Sequence, residues 1–481
     1  MNPKKLLALA AMTVSLAGCR VGPNYVKPSA PTAPAFKEDS EWKAATPNDA
    51  MARGKWWEMY NDQQLNALEE QIDPANQTLK QAEANFRAAR NVIRQNRADL
   101  APTLSVDPTL GATRISANQP YRNNLPTSSG QGNFVMPLDL TYEIDLWGRV
   151  RRAITSAQDT TQAYVADLET ARLSLHAELA MNYFNLRSAD AQKKLLDETV
   201  AAYKDALQLT TDRADGGVAP ESDVAQARTQ LQQALVQSTE VTIARAQYEH
   251  SIAVLIGKPP ADLSIPVKPL TESTPGIPAI PGVLPSELLE RRPDIAAQER
   301  RMAAANEQIG IAKSAFYPRL NLAADAGFTG NSMPTWFLWT SRIWAVSPQF
   351  SEQIFDAGRR RARTNTAVAQ YDATVASYRQ SALTAFQQVE DNLVALKQLE
   401  TEAQQQREAT QAAEEALGLF RTRYEGGVDT YLQVITSQTT ALQNQRNEID
   451  ILRRRLDASI LLIKATGGGW DTSKLPQFPK G

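Results

Sequence analysis

Cysteine is nearly missing from this chain: Cys19 is the only one in 481 residues. That excludes an intramolecular disulfide and any cluster of thiolate metal ligands. Histidine is almost as scarce. His176 and His250 are the two present, and neither has a cysteine or a second histidine at ligand spacing. Both therefore read as packing or surface side chains rather than general bases. The signatures GxGxxG, GxxxxGK[ST], HExxH and GxSxG do not occur, and the 8 methionines are scattered. A non-enzyme without cofactor or metal is expected. No run of about 20 apolar residues exists, so no transmembrane helix is expected. With 51 basic and 53 acidic residues the chain carries no excess of positive charge to suit nucleic acid.

What is present begins with a targeting segment. Lys4 and Lys5 precede a short apolar run, Leu6 to Val14, too short to span a bilayer. Leu16-Ala17-Gly18 then places small residues before Cys19, an arrangement that resembles a bacterial lipoprotein signal. Cleavage before Cys19 would leave a mature chain of net charge −4 instead of −2, lipidated at that cysteine. Pro23, Pro28, Pro31 and Pro34 mark an extended arm. Trp42, Trp56, Trp57 and Tyr60 follow and are expected to anchor it to the folded body.

The rest of the chain is one unit written twice. Arg213-Ala214-Asp215-Gly216-Gly217-Val218 returns 210 positions later as Arg423-Tyr424-Glu425-Gly426-Gly427-Val428. Gly148-Arg149 returns as Gly358-Arg359 with the same shift, and the stretch around Pro102 echoes that around Pro318. The bounds read as signal 1–18, arm 19–60, first repeat 61–257, linker 258–285, second repeat 286–466 and tail 467–481. Ser286 is the expected N-cap of the second repeat, and Pro74 the expected break in the first.

Each repeat changes period in its middle. Leu104, Val106, Pro108 and Leu110 alternate with polar residues, and Leu138, Leu140, Tyr142, Ile144 and Leu146 do so more strictly. Period two puts the apolar groups on one face of a strand and the acids on the other. In the second repeat Leu320 to Phe328 alternates likewise, and a further strand ends near Phe355. Hairpins are thus expected over about 102–146 and 318–355, with strands long enough for a tilted membrane-spanning strand. The acids on the polar faces, Asp107, Asp139, Glu143, Asp145 and Asp325, would line the lumen of a barrel with a wet interior.

Long helices flank the hairpins. Ile154, Ala157, Thr161, Tyr164, Leu168, Ala171 and Leu175 keep a 3-4 spacing, as do Val368, Tyr371, Val375, Tyr378, Ala382, Ala385 and Val389. The helices turn back at Gly216-Gly217 and Gly426-Gly427, glycine being suited to a helix end.

Together these residues carry a resemblance. The chain resembles the TolC-like outer membrane factors, in particular the lipoprotein branch serving tripartite efflux pumps. The resemblance rests on Leu16-Ala17-Gly18-Cys19 with Val21-Gly22-Pro23-Asn24-Tyr25, on Trp56-Trp57, and on Leu288 to Ile295. Phe316-Tyr317-Pro318, Phe355-Asp356-Ala357-Gly358-Arg359 and the two Gly-Gly-Val turns complete it. It covers essentially the whole mature chain.

The resemblance implies a homotrimer whose chains each give four strands to one twelve-stranded transmembrane β-barrel, continued by an α-helical barrel in the periplasm. It implies a gated passive duct for drugs or other small toxic molecules, fed by an inner membrane transporter of RND type through a periplasmic adaptor. It implies diacylglycerol and N-acyl lipid on Cys19, contact with outer membrane lipid, and no nucleic acid. The adaptor would meet Gly216, Gly217, Val218, Gly426, Gly427 and Val428. The gate would lie at Asp223, Tyr424, Asp429, Gln433 and Thr436, with Tyr424 and Asp223 matching a tyrosine–aspartate hydrogen bond of the family. Asp429 stands where the family often has a tip arginine, and Gln433 and Thr436 where it has a ring of acids. A type I protein-secretion duct, a metal-ion efflux duct and a lipid-anchored coiled-coil scaffold are the alternatives.

Overall fold

The duplication reappears as helices of equal length. The computed structural model describes residues 20–31, 35–37, 54–114, 116, 130–271, 277–278 and 285–478; Cys19 and Trp42 lie outside them. The first repeat holds α1 (Gln63–Glu69), α2 (Ile72–Ala75), α3 (Gln77–Ala98), α4 (Arg149–Asp215) and α5 (Glu221–Leu255). The second holds α6 (Pro285–Arg291), α7 (Pro293–Ser314), α8 (Arg359–Glu425) and α9 (Tyr431–Ala465). α4 and α8 each have 67 residues, α5 and α9 each 35, and α3 and α7 each 22. At 1.5 Å per residue α4 and α8 reach about 100 Å.

Local chemistry sets the boundaries. α4 contains no proline or glycine, and α8 only Gly418. The early break falls at Asn76, just after Pro74, where the Asn76 side chain caps α3 by accepting from the amides of Thr78 (2.8 Å) and Leu79 (3.1 Å). α6 starts at Pro285, a residue suited to a first helical turn, so Ser286 lies within that turn and is not the N-cap.

Between the long helices lies one antiparallel sheet of β1 (Thr103–Val106), β2 (Thr109–Thr113), β3 (Gln131–Ile144), β4 (Arg319–Gly330) and β5 (Arg342–Ser351). β1 and β2 both pair with β3, so they occupy one strand position beside β3, β4 and β5. The expected unbroken first strand is interrupted at Asp107-Pro108, opposite Met136-Pro137 of β3. Two prolines on facing strands remove the amides that a continuous ladder needs. Gly327 accommodates the same spot from the other side, since a Cβ there would sit 2.0 Å from the Met136 carbonyl oxygen. β3 starts earlier and stops sooner than its apolar alternation suggested, because Leu146 folds into a turn on the Ile144 carbonyl. β5 likewise ends at Ser351, short of Phe355.

α4 packs against α3, α5, α7 and α9. In α8 the 3-4 seam is buried at Tyr378, Ala382, Ala385 and Val389. Nearer the sheet it opens: Val368 is exposed, and in α4 Tyr164 gives way to buried Ala163 and Ala166. The large core lies midway along the helices, where Trp56, Trp57 and Tyr60 are all buried. Trp57 stacks on His176 at 4.3 Å, and the Tyr60 and Ser459 hydroxyls meet at 2.6 Å. The aromatic group thus clamps the arm to both repeats. His176 is a packing residue, its Nδ1 2.6 Å from Glu69 Oε2, while His250 is exposed. No described helix is long and apolar enough to cross a membrane.

Candidate functional site: a two-faced sheet and a paired helical tip

Register gives the sheet two unlike faces. Leu104 pairs with Leu140, Val106 with Leu138, Leu110 with Phe134, Tyr142 with Leu322 and Leu320 with Phe350. The opposite face carries Thr103 against Thr141, Ser105 against Asp139, and Asn321 against Gln349. Leu104, Leu110, Trp344, Val346 and Phe350 are exposed, with Trp344 at 75%. Among the described residues no helix covers this apolar face, and a soluble sheet would not leave it bare. An apolar outer and polar inner face is the pattern of a membrane barrel with a wet interior.

Of the five acids read as lumen-facing, two stand on the polar face without an ion pair among the described residues. Asp139 and Asp325 are direct cross-strand partners. Like charges placed opposite each other destabilise a dry sheet, so this pair fits a solvated face. The other three differ in setting. Asp107 sits in the proline break and is exposed. Glu143, at the end of β3, makes a two-pronged pair with Arg149 at 2.8 and 2.9 Å. Asp145 lies past β3, where it accepts from the Arg151 amide at 3.0 Å and so braces the start of α4. Asp356 does the same for Arg360 in the second repeat, and Gly148 (φ +76°) and Gly358 (φ +85°) make the two turns into the long helices.

At the far end both long helices stop on the same motif. Gly217 (φ +72°) and Gly427 (φ +75°) adopt the left-handed conformation. The Val218 amide donates back to the Arg213 carbonyl at 2.8 Å, and the Val428 amide to Arg423 at 2.9 Å. This Schellman closure usually tucks a hydrophobic residue under the turn. Here its partner position is an arginine, and Val218 and Val428 are each left 69% exposed.

The two turns differ at Ala214/Tyr424, Asp215/Glu425 and Ala219/Asp429, and the last of these decides the arginine's partner. Arg423 pairs with Asp429 at 2.5 Å, whereas the matching position after Arg213 is Ala219. Arg213 instead crosses to the second repeat, donating to the Tyr424 carbonyl at 3.1 Å with its guanidinium 4.7 Å from the Tyr424 ring centre. Tyr424 in turn packs on Tyr431 at 5.2 Å, over Ala227, Val434 and Ile435. The Tyr424 hydroxyl is buried without a hydrogen-bond partner of good geometry, so the expected bond to Asp223 is not made within the chain. Burial raises the Tyr424 phenol above its ordinary value; Arg213 opposes the rise and the Asp223 carboxylate adds to it. Asp223 occupies the first turn of α5, where a helix dipole favours an acid. Gln433 and Thr436 are exposed on α9. The sequence marked Arg213 only as part of a repeat; its missing acid partner was the signal that it binds elsewhere.

Sequence reasoning also missed how the arm is seated. Arg20 and buried Arg152 both donate to Glu307 Oε2 at 2.8 Å. The Val21 amide bonds the Trp147 carbonyl at 3.1 Å, and the Tyr25 hydroxyl bonds Glu299 at 2.5 Å. Gly22 (φ +109°) crosses Gly310 so closely that a Cβ would lie 2.5 Å from the Gly310 Cα. Residue 20 is thereby held at the corner where sheet meets helix.

A lipid-facing sheet with free edges, set on two helices about 100 Å long, defines a subunit of a membrane-spanning duct. Three copies of four strand positions close a barrel of twelve. The chain belongs to the outer membrane efflux protein family, whose model matches residues 68–258 and 284–468. It is 33% identical over 474 residues to the toluene efflux pump outer membrane protein TtgC of Pseudomonas putida, covering 97% of this chain and 96% of that one. It is 32% identical over 473 residues to the outer membrane protein OprJ of Pseudomonas aeruginosa, covering 96% and 95%. The solved outer-membrane channel OprN superposes with a TM-score of 0.81 at 28% identity, over 94% of this chain and 100% of that one. The protein is thus an outer membrane efflux channel, its helices projecting into the periplasm, and it works with adaptor and inner membrane pump components.

Proposed function

We propose that three copies of this chain form a gated passive exit duct for drugs or other small toxic molecules. An inner membrane transporter of RND type supplies the energy, and a periplasmic adaptor docks on the helical tips. The observation that carries this reading is the pair of matched turns ending in bare valines, Val218 and Val428, each 69% exposed. A trimer presents both turns around one ring, six apolar knobs for a partner to cover. Tyr424, Asp223, Asp429, Gln433 and Thr436 form the gate region, and Asp139 and Asp325 give the lumen a weak preference for cations. Diacylglycerol and N-acyl lipid on Cys19 tether the arm in the inner leaflet, a reading supported by the seat of Arg20 at the corner between sheet and helix. The toluene pump to which TtgC belongs supports small, membrane-soluble cargo.

The test is complementation in cells that keep their adaptor and pump but lack their own channel. Val218→Asp with Val428→Asp should abolish drug resistance while the trimer still assembles in the outer membrane. Undiminished resistance in that double variant would remove the tip from the docking role.

A further inference from the structure

We propose that the outer rim of the sheet holds an anionic, phosphate-bearing lipid of the surrounding bilayer, bound between Arg342 and the aromatic side chains beside it. The proposal rests on the barrel reading of the sheet and extends it to a specific lipid contact.

The loop between β4 and β5, residues 331–341, lies at the end of the sheet away from the helices, hence on the outer side. It does not stand off into water. Trp336 lies against Phe134 at 5.5 Å and Phe337 against Phe328 at 5.7 Å, both partners being on the apolar face. The Trp336 indole donates to the Phe328 carbonyl at 3.3 Å. Gly330 permits this fold-back, since a Cβ there would approach the Trp336 Cα to 3.1 Å. The loop therefore continues the lipid-facing surface upward, and Met333 (60%), Phe337 (56%), Leu338 (50%) and Trp339 (74%) stay exposed on it. Aromatic girdles mark the headgroup level of membrane barrels.

Arg342 breaks that apolar pattern. It pairs with Phe328, which puts it on the same face as Trp344, Val346 and Phe350. Its guanidinium lies 4.3 Å from the Trp339 ring centre and donates to the Trp339 carbonyl at 2.9 Å. Among the described residues it has no ion pair. The nearest acid in the strands, Asp325, is on the opposite face. A cation on a lipid-facing surface is costly unless it reaches the interface and finds an anion there. Trp339 and Trp344 flank it with rings suited to the boundary between acyl chains and headgroups. One fixed cation between two exposed indoles, at headgroup depth, suits a lipid phosphate with acyl chains running down past Trp344 and Val346.

The experiment is native mass spectrometry of the detergent-solubilised trimer with diphosphorylated lipid A, phosphatidylcholine or inorganic phosphate added. The expected result is retention of lipid A in preference to phosphatidylcholine. Arg342→Gln should lower it about fivefold, the weight of one arginine near an anionic lipid surface. Trp339→Ala should also lower it. Arg319→Gln, at the other end of the sheet and on its polar face, should leave it unchanged. Equal retention by Arg342→Gln, equal retention of phosphatidylcholine, or inorganic phosphate held with the same dependence on Arg342 would each overturn the proposal. A nitroxide on Leu338→Cys, in a Cys19→Ser background, gives a second readout with Arg342 intact. It should be more accessible to oxygen than to a water-soluble nickel chelate, and the reverse order would place the loop in water. Absence of any trimer from the outer membrane of cells making the parent chain would instead sink the barrel reading on which the proposal stands.

Discussion

Arg213 and Tyr424, 211 positions apart, are joined at the helical tip by a hydrogen bond to the Tyr424 carbonyl and a guanidinium laid over its ring. The contact ties the end of the first repeat to the end of the second. Cation–π contacts at partly exposed sites are worth about 1 kcal/mol. Arg213→Ala should therefore loosen each protomer's tip, and the three losses act on one aperture. The expected outcome in planar bilayers is larger conductance and more frequent opening than in the parent. Arg423→Ala removes only an exposed ion pair, of a kind that contributes little because solvent screens it, and should change conductance less. Equal effects from both would mean that the tip responds to charge and not to the link between repeats.

Two glycines in helices should respond in opposite ways to alanine. A Cβ on Gly310 would lie 2.3 Å from the Arg152 Cδ, inside the seat of the arm. Gly310→Ala should push Arg152 off Glu307, lower the melting temperature and expose the arm to protease. Gly418 in α8 has nothing within 4 Å of the same added atom. Gly418→Ala should stabilise the helix by roughly 1 kcal/mol, read as a higher melting temperature with the arm still protected.

Much of this architecture was legible in the residues and some was not, for physical reasons. Period-two alternation from Leu138 to Ile144 and the paired Gly-Gly-Val turns are local signals, and the strands and helix ends stand where they point. The break at Pro108 was less visible, because its cause includes Pro137 on the facing strand. Glu143 and Asp145 read as free acids since parity says nothing of a helix starting at Arg149, whose basic first turn pairs with both. Arg213 over Tyr424, and Arg20 with Arg152 on Glu307, join segments more than a hundred positions apart; composition and spacing carry no information about such pairs.

The arm rests above a buried charge cluster that should make stability depend on pH. Asp159 is pushed up to about 7 by burial, with Arg300 at 3.4 Å opposing and the Glu307 and Glu299 carboxylates adding to the rise. An unfolded aspartate titrates near 3.9. Between these values the folded protein holds the proton more tightly than the unfolded chain, so stability falls as pH rises from about 4 to about 7. Asp159→Asn removes that penalty. Its melting temperature should exceed the parent's at pH 8 and converge with it near pH 4. A constant difference across that range would show that Asp159 does not titrate in it.

Selectivity should trace to Asp139 and Asp325 rather than to all five acids of the strand region. These two face each other on the polar side of the sheet, and a trimer places three such pairs around the lumen. Asp139→Asn with Asp325→Asn should move the reversal potential in a potassium chloride gradient toward zero. Asp107→Asn should move it less, being off the strands and exposed at the proline break. Screening supplies a second check. The Debye length is about 10 Å at 0.1 M salt and about 3 Å at 1 M, so the difference between parent and double variant should be clear in dilute salt and fade in concentrated salt. A shift that survives concentrated salt would point to a change in pore shape, and the two aspartates would then be structural residues of the barrel wall.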